Sequence, residues 1–305
     1  MRPALRPGLL PLWRDRDTVQ IGVDSRRAVA LTGVGGAAAV IRLLDGSRDR
    51  AHLVSEAQQH GVPATVAEQV IATLAAAGVL VDLSASSLRA IPAELRDELM
   101  AELASASMTR QDSDGGAQLL ARRSAFSVQV LGGGRIAETV ADLLTCAGLA
   151  AQAGPGPGPA RAVSPPGLAV LVGRPELGPA EALRRSGVPH LAVSANEAIG
   201  IVGPLVRPGI TACLRCVELT RAERDPAWPL LLAQLSGRSA QPNACDAALA
   251  TAVAAQAAAQ AIAFADRAPL AEATASGTLE LVLPGWQWRR RTWLPHRACS
   301  CGAGS

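Results

Sequence analysis

Leu131-Gly132-Gly133-Gly134-Arg135-Ile136-Ala137 is the stretch on which the fold turns. It follows the apolar run Ser127–Leu131 and opens a helical pattern that continues to Leu144, so a strand runs through G-x-G-x-x-A into a helix. Glycines at such a place let a backbone approach phosphate at a helix N-terminus. The same turn also serves tight strand–helix packing with no ligand, and the sequence favours that use. An acid for a ribose belongs about 20 residues on, where the chain reads Ala151-Gln152-Ala153-Gly154-Pro155. Gly132, Gly134 and Arg135 therefore form a degenerate nucleotide loop, and no bound ATP is expected.

Beyond a Gly/Pro-rich stretch from Ala153 to Gly167, a strand at Leu168–Val172, a helix near Ala180–Arg185 and a strand at His190–Val193 alternate. Alternation of this kind predicts an α/β, Rossmann-like domain with a parallel sheet, placed at 125–305. Upstream, Val19, Ile21 and Val23 alternate with polar residues and Asp24-Ser25-Arg26-Arg27 turns the chain into Val29 and Leu31, a hairpin signature. Three helices follow, near Ala37–Leu44, Arg48–His60 and Val66–Ala77, the last with a capping box in Thr65-Val66-Ala67-Glu68. Hairpin plus three helices predict a winged-helix-like module over 1–83. Residues 84–124 are read as a helical linker, with a helix around Pro92–Ala106 and a loop from Thr109 to Gly116.

Composition narrows the chemistry. The 305 residues are 49% hydrophobic but only 2% aromatic and 18% charged, which excludes a disordered chain. Net charge is +3, and all 29 basic residues are Arg. With no Lys, neither a Schiff-base lysine nor a Walker lysine is possible. A DNA-reading helix would carry basic residues, whereas the third helix carries only Glu68, and residues 1–83 hold nine Arg against eight acids. Nucleic-acid binding is not expected. Leu9-Leu10-Pro11-Leu12-Trp13 is too short for a signal peptide, and the run Ala247–Ala265 carries Gln256 and Gln260 inside a mostly alanine stretch, so it is read as a core helix of a cytoplasmic protein rather than a membrane span.

Six cysteines are too few for a disulfide scaffold, and four fall in two close pairs: Cys213-Leu214-Arg215-Cys216 and Cys299-Ser300-Cys301. Two pairs of thiolates suit one tetrahedral zinc, and four sulfur ligands leave no open position, so the site is structural. The rival is a C-x-x-C redox pair. It fits less well, because the second pair is C-x-C and both pairs are expected in Pro/Gly-rich turns rather than at a helix start. Cys146 is expected in the core, and Cys245 precedes a helix start without a neighbouring base. His296, three residues before Cys299, is expected beside the metal but not on it. Trp286 to Trp293 is expected as the return arm of a hairpin that begins at Thr278–Leu283.

The order of parts, a winged-helix-like module, a glycine turn and paired cysteines in mid-domain and at the tail, resembles the ThiF/MoeB-like superfamily related to ubiquitin-activating enzymes. It is most similar to the partner proteins of azole-forming cyclodehydratases in peptide natural-product biosynthesis. Gly203-Pro204-Leu205-Val206-Arg207-Pro208-Gly209 leading into Cys213, and Pro295-His296-Arg297-Ala298-Cys299-Ser300-Cys301, carry the likeness. The N-terminal part looks like a peptide-recognition element of the PqqD type. The resemblance implies that this element binds a precursor's leader peptide as an added strand along Arg27, Val29 and Leu31, with Val66, Val70 and Leu74 as the groove wall. It implies a non-catalytic adaptor for a separate YcaO-type cyclodehydratase, and a homodimer. Two alternatives remain: an ATP-dependent adenylating enzyme, and a winged-helix regulatory protein.

Overall fold

The computed structural model describes residues 1–33, 38–84, 99–110, 114–154, 165–173, 177–235 and 244–303. They divide into two compact units, 1–122 and 123–305.

In the first unit, β2 (Pro11–Trp13), β3 (Val19–Ile21) and β4 (Val29–Leu31) form an antiparallel sheet in that order. The β3–β4 turn closes on Asp24, whose carbonyl accepts from the N–H groups of Arg27 and Ala28 while its carboxylate accepts from Arg26 N–H. Helices α1 (Ala38–Arg42), α2 (Arg50–Gln59) and α3 (Ala64–Ala76) pack beneath. Asp49 caps α2 by accepting the His52 N–H at 2.9 Å. The expected capping box on α3 does not form: Pro63 is the N-cap, Thr65 already lies inside the helix, and Glu68 pairs with Arg50. A proline with φ of −57° is pre-set for a helix start, so α3 begins earlier than the Thr/Glu spacing suggests. Ile21, Leu53, Ile71 and Leu74 are fully buried in one apolar cluster.

The strands β1 (Pro3–Leu5), β2 and β5 (Leu80–Asp82) escape the sequence pattern. β1 pairs antiparallel with β5, Pro3 opposite Asp82. Buried Arg6 then donates from Nε to the Gly78 carbonyl (2.9 Å) and from Nη1 to the Ser107 carbonyl (2.6 Å), tying α4 (Met100–Arg110) to this unit. Residues 92–98 of the expected linker helix lie outside the described residues. The described part runs on to Arg110, so Thr109 and Arg110 are helical rather than loop. A further helix, α5, covers Ala117–Ser124.

The second unit is a seven-stranded sheet. Its strands are β6 (Ser127–Leu131), β7 (Ala150–Gly154), β8 (Leu168–Val172), β9 (His190–Asn196), β10 (Ile199–Val206), β11 (Gly277–Val282) and β12 (Gln287–Thr292), in the order β12-β11-β10-β9-β8-β6-β7. The expected parallel sheet is instead mixed: β7, β6, β8 and β9 are parallel, while β10, β11 and β12 are antiparallel. The reversal comes at Glu197 and Ala198, both at positive φ (55° and 59°), a two-residue hairpin turn made without glycine.

Side chains alternate across this sheet. Val128, Val130, Leu168 and Val170 pack on one face with α6 (Gly134–Cys146) and α10 (Ala247–Ala265), while Ala169 and Leu171 face α7 (Leu177–Arg185) and the start of α8 (Leu214–Arg224). A short helix, α9, spans Trp228–Leu235. The alanines of α10 let it lie close to the sheet: a Cβ on Gly200 would stand 2.3 Å from Val253 Cγ2. α10 has the length and apolarity of a membrane span, yet half of its most apolar stretch is buried and nine of its residues are buried against the sheet and α6. It is a core helix. Cys146, expected in the core, is exposed at the last turn of α6, because Leu144 takes the inward position there.

Candidate metal centre and glycine turn

β10 delivers the chain to a turn in which the Thr211 hydroxyl donates to the Leu205 carbonyl (3.1 Å) and accepts from the Arg207 N–H (2.8 Å). The turn hands over to Cys213, which is the N-cap of α8, and Cys216 follows in the first helical turn. This corrects one expectation: the first pair does sit at a helix start. What decides between metal and redox pair is the other two cysteines. After β12 the chain turns back, and Cys299 Sγ lies 3.6 Å from Cys213 Sγ across 86 residues of sequence, with Cys301 Sγ 3.5 Å from Cys216 Sγ. Cys213 and Cys216 stand 3.7 Å apart, and all four sulfurs lie within 4.8 Å of one another.

These distances are far beyond the roughly 2.05 Å of a disulfide. Zinc–sulfur bonds of about 2.3 Å at tetrahedral angles put neighbouring sulfurs about 3.7 to 3.8 Å apart, so the four thiols fit a zinc ion. Val206, Ala212, Val217 and Trp293 bury the cluster. Burial pushes the Cys213 thiol up to about 11 and also raises Cys299; a bound cation reverses that penalty by taking the thiolates as ligands. Four sulfurs close the coordination shell, so the site can hold the C-terminal turn to α8 but cannot activate water.

The surroundings brace this arrangement. His296 is not in the cluster: its Nδ1 accepts from the Ala298 N–H (3.1 Å) and its carbonyl accepts from the Cys299 N–H (2.8 Å), which shapes the turn. Its Nε2 lies 3.0 Å from a Glu223 carboxylate oxygen but out of line for a hydrogen bond. The Arg221 guanidinium sits over Trp228 (5.1 Å) and Trp293 (5.5 Å), and Trp293 Nε1 donates to Thr278 Oγ1 at 3.0 Å. The expected hairpin arm is β12. It forms an edge strand, exposed along most of its length rather than apolar on one face.

At the glycine turn, Gly132 has φ of 131°, and a Cβ there would stand 2.3 Å from the Val172 carbonyl oxygen. Close approach of β6 to β8 therefore accounts for this glycine without a nucleotide. Gly133 is the extended N-cap of α6, Gly134 begins the helix at φ of 78°, and Arg135 is exposed beside it. β7 reads Ala150–Gly154 with no acid. Residues 155–164, which hold no acid, and 174–176, which hold Glu176 but no paired aspartates, lie outside the described residues.

In the first unit, β3 is the one strand among the described residues that pairs with β4. Arg27 is exposed, its Nη1 3.5 Å from the Met108 carbonyl oxygen; Val29 is half-buried and Leu31 buried. Val66 is 37% exposed, but Val70 and Leu74 are 6% and 0% exposed and belong to the same apolar cluster as Leu31. Those two support the β4 edge from beneath. Of the expected groove wall on α3, Val66 alone reaches the surface. Cys245 is partly buried, its thiol raised by burial and the Asp246 charge.

No protein-family model and no curated protein matches this sequence. Solved structures do. The heterocyclase TruD superposes with a TM-score of 0.67 at 17% identity, covering 99% of this chain and 43% of that one. MccB of E. coli with ATP gives 0.62 at 13% identity, and MccB with AMPCPP and selenomethionine MccA gives 0.63 at 13%, each covering 99% of both chains. The chain thus spans about two-fifths of the heterocyclase and the whole of MccB. At these identities the likeness is one of fold: the chain shares the fold of these structures over 99% of its length.

Proposed function

We propose that this protein is an adaptor that binds the leader of a ribosomal precursor peptide and presents it to a YcaO-type cyclodehydratase for azoline or azole formation. The observation that carries the reading is the free edge of β4. Val29 and Leu31 rest on the apolar cluster that Val70 and Leu74 complete, while the strand's outer side pairs with no described strand. An extended peptide added there gains main-chain hydrogen bonds, and side chains such as exposed Val66 and Arg27 set its register. In this reading the first unit is a winged-helix-like, PqqD-type recognition element. Structures with the same fold include a heterocyclase in complex with substrate and cofactor and MccB with MccA, which supports a peptide as partner.

Zinc on Cys213, Cys216, Cys299 and Cys301 is structural in this proposal, and the chain does no ATP chemistry of its own. The absence of Lys from the whole sequence and of an acid from β7 supports that division of labour. A second reading has one observation in its favour: Gly133, Gly134 and Arg135 open onto solvent at the start of α6, where an adenylating enzyme would hold phosphates. The adaptor works in the cytoplasm, as a homodimer, without nucleic acid or membrane.

The test is hydrogen exchange on the full chain with a leader peptide recovered from its own cell lysate and resynthesised. New protection at Val29–Leu31 supports the adaptor. Protection elsewhere, or peptide-dependent ATP–pyrophosphate exchange, sinks it.

A further inference from the structure

The C-terminal unit also holds a cavity that neither the peptide edge nor the metal centre explains. Between α7 and the start of α8 is a cavity of about 210 Å³ whose lining includes Leu177, Leu214, His190 and Arg215. It is smaller than the roughly 300–1,000 Å³ of drug-sized pockets, so it suits one small molecule.

His190 is the informative group. It is 1% exposed, and its Nδ1 lies 3.1 Å from the Val188 carbonyl oxygen. A carbonyl only accepts, so Nδ1 carries the proton and Nε2 keeps a lone pair. That Nε2 has no partner among the described residues, and the ring lines the cavity. The Nε2 lone pair is therefore open to the cavity, where a ligand N–H or O–H can donate to it. Opposite charge requirements come from Arg215, which has no hydrogen-bond or ion-pair partner among the described residues. Arg184 and Arg185 also line the cavity but already share Glu181, at 2.6 and 3.3 Å. The cavity touches the first residues of both α7 and α8, and no side chain caps α8. Helix starts add positive potential to that of Arg215. Leu177 and Leu214 supply apolar wall.

We propose that this cavity binds a small carboxylate that carries an N–H or O–H beside the carboxyl group and an apolar side chain. The planar guanidinium of Arg215 matches a carboxylate, the donor meets His190 Nε2, and the side chain covers Leu177 and Leu214. Cys213 also lines the cavity, and the negative charge of ligated thiolates favours a monoanion over a phosphate dianion. The site is independent of the peptide edge, so neither proposal falls with the other.

Calorimetric titration of the full, zinc-loaded chain with N-acetylleucine tests it. Saturable binding is expected, roughly tenfold or more weaker in Arg215→Gln at unchanged zinc content. 4-Methylpentanoate, which lacks the donor, should bind at least about tenfold more weakly than N-acetylleucine, and N-acetylleucinamide, which lacks the charge, should not bind. The two analogues test His190 and Arg215 in the unaltered protein, whatever the variant's folding. Equal binding of either analogue, no effect of Arg215→Gln, or saturable binding of inorganic phosphate with none of N-acetylleucine would each overturn the proposal.

Discussion

Arg123 and Asp266 meet through two parallel hydrogen bonds, Nε to Oδ1 at 2.9 Å and Nη2 to Oδ2 at 2.7 Å, with both side chains only 7% exposed. The pair joins the start of the second unit to the C-cap of α10, and Arg123 Nη1 donates on to the Ala147 carbonyl at 3.2 Å. Removing one partner breaks a buried ion pair, which costs about 3–5 kcal/mol. Asp266→Ala should lower the melting temperature by on the order of 10 °C, read by calorimetry. The double variant Arg123→Met with Asp266→Leu should recover much of that loss.

Metal analysis should find one zinc per chain. Cys213→Ser and Cys299→Ser should each lose it and melt earlier than the parent, while Cys146→Ser, at an exposed position, should change neither property. Zinc must displace the protons that burial holds on Cys213 and Cys299. Affinity should therefore fall as pH falls. Competition with a chelator at pH 6.5, 7.5 and 8.5 gives the slope, and a pH-independent affinity would contradict thiolate ligation.

Gly132 and Gly134 separate packing from binding. Gly132→Ala puts a methyl group into the Val172 carbonyl at a φ foreign to L-residues and should cost about 3 kcal/mol or more. Gly134→Ala meets open space and carries only the backbone penalty of about 1–2 kcal/mol. Denaturant melts of the two variants measure the difference; equal losses would mean that close approach of β8 is not what requires Gly132.

Burial depresses His190 below the usual histidine value, with the Val188 carbonyl acting weakly against that. A depressed value in the folded state means that the unfolded chain binds the proton more tightly. The stability tied to neutral His190 is thus complete above about pH 6.5 and is lost as pH falls below it. In melts of zinc-loaded protein between pH 7.5 and 5.5, His190→Gln should show a shallower decline than the parent. Parallel declines would show that the imidazole does not gain its proton on unfolding.

Local rules carried the sequence a long way. α10 runs over Ala247–Ala265 as read, because its start is set by the Asp246 carboxylate accepting the Leu249 N–H at 2.7 Å. The β3–β4 hairpin and the four clustered cysteines were equally legible, since turn chemistry and ligand spacing are properties of short stretches. What stayed hidden depends on distant partners. β1 and β5 are three residues each and exist only because Pro3 meets Asp82. The exposure of Cys146 depends on how α6 is rotated against the sheet, and β10 reverses direction through a turn with no glycine to announce it. His190 looked like an ordinary strand residue, and no local pattern marks its free Nε2; only the packing of α7 and α8 turns that position into a cavity wall.

The pairing of Pro3 with Asp82 has a topological consequence. The chain enters and leaves the intervening 78 residues at neighbouring points, as a loop of string does at a knot, so its ends can be rejoined by a short tether without stretching anything between them. A segment with that geometry is a cassette. It can be moved between hosts, permuted or duplicated by recombination at its two adjacent ends, which is the physical condition for an element that evolution shuffles independently of the domain it serves.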